Sequence, residues 1–375
     1  IINFQPNSDF YHQLIDVIAN ITCYLDYEKY NNYISTQFLY SLFNILANDF
    51  DLLEIITVLS NIFSEVDFQC QNFILQQFSL LIDKFPNQKN IQRKIYRFFY
   101  ITIKYIQKIE DDFLPYINKF IDQFIISFSE YNPKFYFSYY FAFFSFGNLI
   151  KRGVDINLFM KPELISIYNM CLHSSLEKVL FGVFFILYNI VYRIDNYDFS
   201  KLFDYEQAIE VIFNINQIID SETSKLQDDI ILYGLNFLIC SAAGSSQMQE
   251  YLFSLDIFAS IEQLYNSSPY RVRSELIYLY ITLIPRENYK IRIDLLETPF
   301  FVNSILSLVD TYDKRTQKLI LEIIYFTLMK CDTEEDKIYH NFLIENGFIT
   351  IAERISFEDE KLTLYFNNIL NMLQE

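Results

Sequence analysis

Residues 57–62 read TVLSNI, and the last four letters belong to a pattern, apolar-x-Asn-apolar, that returns as IANI at 18–21, LSNI at 59–62, FGNL at 146–149 and LYNI at 187–190. With the Asn as a ruler, the equivalent position falls at Asn20, Asn61, Tyr100, Asn148, Asn189, Asn236, Tyr280, Tyr325 and Asn368. Segments such as RFFYIT (97–102), YGLNFL (233–238), EIIYFT (322–327) and YFNNIL (365–370) carry the same apolar framing. Successive steps run from 39 to 48 residues. A unit of that length holds two or three helices, too few to enclose a core alone, so it must bury its apolar face against the units on either side. The expectation is one helical-repeat domain over 1–375, an all-α, right-handed α-solenoid of about nine repeats. The approximate repeat bounds are 1–25, 26–66, 67–106, 107–153, 154–194, 195–241, 242–285, 286–330 and 331–375.

Local signals agree with helices throughout. DLLEIITVLSNIF (51–63) sets Leu52, Ile55, Ile56, Leu59 and Phe63 at i, i+3, i+4, i+7 and i+11, the stripe of an amphipathic helix. Asn132-Pro133, Ser268-Pro269 and Thr298-Pro299 each place a capping side chain before a Pro suited to the first helical position. In ENGFITIAERI (345–355), Gly347 stands where one helix turns into the next, a position that calls for a left-handed backbone. No stretch alternates with a period of two for long enough to suggest a sheet.

Composition bounds the function classes. The 375 residues are 52% hydrophobic and 18% aromatic, with only 6 Gly and 8 Pro that nowhere cluster into a linker, so the chain is packed along its length. A formal charge of −18 repels nucleic acid and anionic membranes over long range and favours basic partners. Cys23, Cys70, Cys171, Cys240 and Cys331 are far apart, without CxxC or a neighbouring His, and read as thiols of a reducing compartment, cytoplasm or nucleus. The chain opens at Ile1 rather than Met, as expected of a piece of something longer, and Asp9, His12 and Asp16 interrupt any secretory signal. FYFSYYFAFFSFGNLI (135–150) is shorter than the ~20 apolar residues that span a bilayer and reads as a buried helix. His12, His173 and His340 have no carboxylate or Cys at catalytic spacing, and no phosphate loop or GxSxG is present. CDTEEDK (331–337) lacks the Gly and oxygen spacing of a calcium loop. No cofactor, metal or small-molecule substrate is expected, and no enzymatic activity.

YHQLIDVIANITCY (11–24) and LLEIITVLSNIFSEVDFQCQNFIL (52–75) resemble the third helix of armadillo repeats in the importin alpha group, and FLIENGFITIAERISFEDEKLTLYFNNIL (342–370) resembles a complete terminal armadillo unit. The resemblance implies third helices lining a concave groove, with the tetrad Asn pairing both N–H and C=O of an extended peptide backbone. It also implies a Trp four residues before each Asn, to stack on the stems of Lys and Arg. This chain departs there: it has no Trp, and the set four residues earlier reads Asp16, Thr57, Tyr96, Phe144, Phe185, Leu232, Leu276, Leu321 and Leu364. Only Phe144 with Asn148, and Phe185 with Asn189, keep an aromatic beside the Asn.

The candidate peptide-binding residues are therefore Asn20, Asn61, Phe144, Asn148, Phe185, Asn189 and Asn236. Two readings of the central pair stand side by side: a short peptide clamp, or core Phe with structural Asn. Seven residues before the ruler, Arg273, Lys318 and Lys361 bring positive charge to the C-terminal half and weaken the case for a basic ligand there, while elsewhere Glu54, Asp16 and Asp229 act the other way. Function is expected to be an importin-alpha-like adaptor gripping an extended, basic segment, or an armadillo scaffold that joins other proteins outside nuclear transport.

Overall fold

The computed structural model describes residues 52–63, 71–76, 89–106, 109, 113–219, 225–285, 288–306, 309, 313–329, 337–352 and 360–374. Among the described residues there are helices, helical turns and connections, and no strand. Asn20, His12, Cys23, Cys70, Cys331 and the acidic run through residue 336 lie outside them. The chain divides into two compact units, 1–193 with 219–221, and 194–218 with 222–375.

The first unit contains α1 (Leu52–Ile62), α2 (Lys89–Tyr105), α3 (Leu114–Ser127), α4 (Tyr136–Lys151), α5 (Pro162–Leu172) and α6 (Glu177–Val191). The four helices that carry ruler positions, α1, α2, α4 and α6, pack side by side in chain order, while α3 and α5 pack on each other as a second layer. Aromatic rings fill the seam between the layers. Phe99 of α2 stacks on Phe120 of α3 at 4.0 Å between centroids, and Phe124 of α3 meets Phe143 and Phe146 of α4 edge-on at 5.5 Å. Phe143 reaches on to Tyr168 of α5, also at 5.5 Å. The edge-on contacts are among those that ring quadrupoles favour, and all of these rings add to the apolar area removed from water. In α1 the residues Ile56, Leu59 and Phe63 of the expected stripe are buried. Helix α6, flanked on several sides, is buried without interruption from Val179 to Leu187, as its nearly all-apolar sequence requires. No helix among the described residues is long and apolar enough to cross a membrane.

The second unit contains α7 (Tyr205–Ile218), α8 (Lys225–Gly244), α9 (Ser246–Ser254), α10 (Phe258–Ser267), α11 (Tyr270–Leu283), α12 (Tyr289–Leu296), α13 (Lys314–Leu328), α14 (Lys337–Glu345), α15 (Phe348–Ala352) and α16 (Glu360–Gln374). Here α8, α11, α13 and α16 repeat the side-by-side row, with α7 against α8 and α10, and α10 against α11. Two buried tyrosines, Tyr205 and Tyr280, supply both volume and a satisfied hydroxyl. Tyr205 stacks on Phe237 and shares a 2.7 Å hydrogen bond with Ser241, and Tyr280 donates to the Leu295 carbonyl at 2.9 Å.

Helix ends show how one repeat is tied to the next. At the end of α4, the Gly153 amide donates to Ile150 O and the Val154 amide to Leu149 O, with Gly153 at φ +86°, which is the Schellman arrangement. Gly347 adopts φ +71° between α14 and α15, as its position predicts. Arg152, just past α4, donates to the Ile106 and Lys104 carbonyls at the end of α2, and Arg193 donates in the same way to Lys151 O at the end of α4. Each guanidinium thus satisfies orphan carbonyls at the negative end of the preceding row helix. Asn132 caps the 3-10 turn Pro133–Phe135, and Thr298 Oγ1 accepts from the Phe301 amide. At Ser268-Pro269 the expectation is off by one: Pro269, extended at ψ 160°, is itself the cap residue of α11 and no side chain caps that helix. Ser268 is buried and closes the preceding α10 instead.

Candidate functional site

The row α2–α4–α6 presents three parallel stripes. Arg93, Arg97, Tyr100 and Lys104 recur at helical spacing on α2; Phe137, Phe141, Phe144, Asn148 and Lys151 on α4; Lys178, Phe181, Phe185 and Asn189 on α6. Side-chain geometry joins these stripes into rungs. In the first, Arg93 lies 4.1 Å over the Phe137 ring and the Lys178 ammonium lies 4.1 Å from the same ring. In the second, Tyr100 meets Phe144 at 5.5 Å, and Phe144 stacks on Phe185 at 4.5 Å with 9° between planes. Lys151 Nζ sits 4.5 Å from the Phe185 ring, and partial burial there pulls its pKa below the ordinary lysine value. Phe137, Phe141, Phe144 and Tyr100 are all half-buried, whereas Arg93, Arg97, Lys104 and Lys151 are exposed.

The expected pairs Phe144/Asn148 and Phe185/Asn189 are therefore brought together on adjacent helices, but their members are not equally accessible. Asn148 is half-buried and its Nδ2 donates to Phe144 O at 2.8 Å; Asn189 is 2% exposed and its Nδ2 donates to Phe185 O. Asn236 on α8 repeats the bond to Leu232 O at 2.8 Å and is half-buried. Asn61 on α1 is half-buried, and Asn20 lies outside the described residues. The same bond to the carbonyl one turn back satisfies Ser60, Ser145, Ser241, Thr282 and Thr327, so it is this chain's general way of placing a polar side chain in an apolar helix. At Asn148, Asn189 and Asn236 one N–H of the side-chain amide is thus committed to its own helix, which leaves Oδ1 and the second N–H for a ligand at the half-buried Asn148 and Asn236.

Gly147 explains why the two pairs differ. A Cβ at Gly147 would lie 2.5 Å from Phe185 Cε1 and 3.3 Å from Asn189 Nδ2, so the missing side chain admits the Phe185 ring into the α4–α6 seam. Phe185 is 1% exposed as a result, and Phe144 covers it from the adjacent helix.

The row of the second unit has another character. Its cations meet carboxylates across neighbouring helices: Arg271 of α11 with Asp229 of α8 at 3.2 Å, and Arg315 of α13 with Glu275 of α11 at 4.0 Å. Arg315 also lies 3.9 Å over the Tyr278 ring. Burial raises the Glu275 pKa, and Arg315 opposes that rise. Tyr280 stands fully buried at its ruler position, Tyr325 and Asn368 are half-buried, and Leu364 is 60% exposed. Arg273, expected in the groove, turns toward α10, 5.3 Å over the Tyr265 ring.

Arg93 and Lys178 are the residues that the sequence reading passes over. Arg93 stands seven residues before Tyr100, the same offset that singles out Arg273, Lys318 and Lys361, and α2 carries Lys89, Arg93, Lys94, Arg97 and Lys104 with no acid. That run is the signal that could have found the face.

Chemistry of other kinds has little to work with. Among the described residues no group of His, Cys, Asp and Glu could hold a metal ion. His173 is exposed, and the His340 Nε2 lies 3.0 Å from Met372 O. Burial raises the thiol pKa of Cys171, and that of Cys240 to about 11, which disfavours the nucleophilic thiolate.

No protein-family model matches the chain, and no curated protein does either. Solved structures do. An engineered protein determined as a structural genomics target aligns over 99% of this chain and 97% of its own, with a TM-score of 0.61 at 12% identity. A designed armadillo repeat protein aligns over 68% of this chain and 99% of its own, with a TM-score of 0.52 at 14% identity. The fold is an armadillo-like helical repeat. At such identities the likeness carries the fold alone, an all-α solenoid.

Proposed function

We propose that the chain is a non-enzymatic protein-binding scaffold that seats an extended peptide segment across the α2–α4–α6 row. The observation that carries this reading is the continuous, half-buried aromatic floor formed by Tyr100, Phe137, Phe141 and Phe144 and bordered by exposed cations. Flat rings accept a strand-like ligand's side chains at low entropic cost, and Asn148 Oδ1 is placed to take a ligand amide. The narrower form, an importin-alpha-like adaptor working between cytoplasm and nucleus with basic cargo, keeps one accessible aromatic-x-x-x-Asn pair, Phe144 with Asn148, because Phe185 and Asn189 are buried, and the cations along the row count against basic cargo. Display selection of unstructured peptides on the purified chain tests the broader reading. Selected peptides should lose binding to Phe144→Ala and Tyr100→Ala, and keep it with Ile126→Ala, a 65% exposed control on α3. Binders that respond to Ile126→Ala alone would move the site to the other layer and overturn the reading.

A further inference from the structure

The sign of the charge on the row of the first unit runs against that of the chain. The protein has 47 acidic and 29 basic residues, yet α2 carries five cations and no acid, α4 adds Lys151 and no acid, and α6 carries Lys178 beside a single acid, Glu177. Among the described residues, Arg93, Arg97, Lys104, Lys151 and Lys178 have no carboxylate within ion-pairing distance. Four of those five are held against ring faces instead: Arg93 and Lys178 on Phe137, Lys151 on Phe185, and Lys104 on Tyr105 at 5.0 Å. In the second unit the row cations Arg271 and Arg315 are neutralised by Asp229 and Glu275. The two rows share a fold and differ in whether a carboxylate is supplied from within.

We propose that the α2–α4–α6 row takes an acidic extended peptide, whose carboxylates fill the places that Asp229 and Glu275 fill in the second unit. This rests on the peptide-seating reading above and fixes the chemistry of the occupant. The Arg93 guanidinium, 4.1 Å over the Phe137 ring, has no carboxylate partner among the described residues, and a guanidinium edge pairs bidentately with a carboxylate. The ring beneath fixes the side chain before the ligand arrives, which lowers the entropic cost of pairing. Apolar side chains alternating with the ligand's acids have Phe141 and Phe144 to rest on. The −18 background disfavours a long polyanion while a short acidic segment meets mainly the local cations, so a protein segment is the occupant rather than nucleic acid.

Fluorescence polarisation with three labelled probes tests this: a peptide of alternating Glu and Leu/Phe, the same peptide with Lys for Glu, and an oligouridylate of matched length. The Glu peptide should bind at least about tenfold tighter than the Lys peptide. Raising NaCl from about 50 to about 300 mM shortens the Debye length from roughly 14 to roughly 6 Å and should weaken it severalfold. The double variant Arg93→Glu/Lys178→Glu should lose about tenfold for the Glu peptide and gain for the Lys peptide, whereas Lys134→Glu, an exposed cation off the row helices, should change neither. Far-ultraviolet circular dichroism confirms that the variants are folded, and the milder Arg93→Gln should show an intermediate loss. Tighter binding of the Lys peptide at the same row, lost on Phe144→Ala, would overturn the acidic assignment and leave the peptide seat intact. Binding indifferent to both Phe144→Ala and the charge reversals would overturn the seat itself. Tightest binding by the oligouridylate would overturn the choice of a protein partner.

Discussion

Replacing Gly147 with Ala puts two known effects in opposition, and the geometry of the α4–α6 seam decides between them. In an open helix the change is favourable by about 1 kcal/mol, because Ala loses less backbone freedom on folding. Here the new methyl would lie 2.5 and 2.6 Å from two atoms of the Phe185 ring. That ring is 1% exposed and stacks on Phe144, with Lys151 beside it, so moving it breaks the second rung. Overpacking of this kind costs roughly 1 to 3 kcal/mol, and a clash with a ring this enclosed belongs in the upper part of that range. The expected net effect is a destabilisation of about 1 to 2 kcal/mol, read as a lower midpoint in urea followed by circular dichroism. Phe185→Leu should cost less in the Gly147→Ala background than in the parent chain, because the smaller side chain frees the space the methyl needs. A Gly147→Ala chain more stable than the parent would refute the close approach and with it the explanation of why Asn189 is buried.

Other consequences follow from the packing and the caps. Leu59→Ala and Leu187→Ala, both fully buried on row helices, should each lose about 2 to 5 kcal/mol; losses under about 1 kcal/mol at both would mean that the row faces are reversed. At Asp313 burial pulls the carboxyl pKa upward, but hydrogen bonds from the Ser274 and Thr316 hydroxyls and the Thr316 and Arg315 amides outweigh it and hold the pKa below the usual aspartate value. Its contribution is therefore complete above the unfolded-state pKa, near 4, and is lost as pH falls through the lower folded-state value. Asp313→Ala should cost about 1 kcal/mol at neutral pH, and the gap to the parent should close in acid; a gap unchanged by pH would contradict the charged cap.

Much of the fold is legible because every repeat solves the same packing problem. Leu59, Phe146 and Leu187 must each face inward between two neighbouring helices, so the apolar framing of the tetrad survives even where Tyr replaces the Asn. The positive φ at Gly347 is legible for a local reason, since a helix that reverses within two residues needs a left-handed position. The site is less so. Asn148 and Asn189 occupy the same place in the pattern, and their different burial depends on Gly147, which lets a ring from another helix approach. The Arg93–Phe137–Lys178 rung joins residues 44 and 41 positions apart on three helices, and no local signal records that alignment. The signal present in the sequence is the run of five cations without an acid along α2, hidden inside a strongly acidic total.

The most direct test of the central claim, an extended segment lying across the α2–α4–α6 row, is site-specific photo-crosslinking to a selected peptide. p-Benzoylphenylalanine is placed at Arg97 on α2, at Asn148 on α4, or at the exposed Ile126 on α3, and the attachment points are mapped by mass spectrometry. Adducts from positions 97 and 148 at separate, ordered residues of the peptide, with none from position 126, are the predicted result. Adducts from position 126, or row adducts that converge on one peptide residue, would contradict an extended ligand seated on the row.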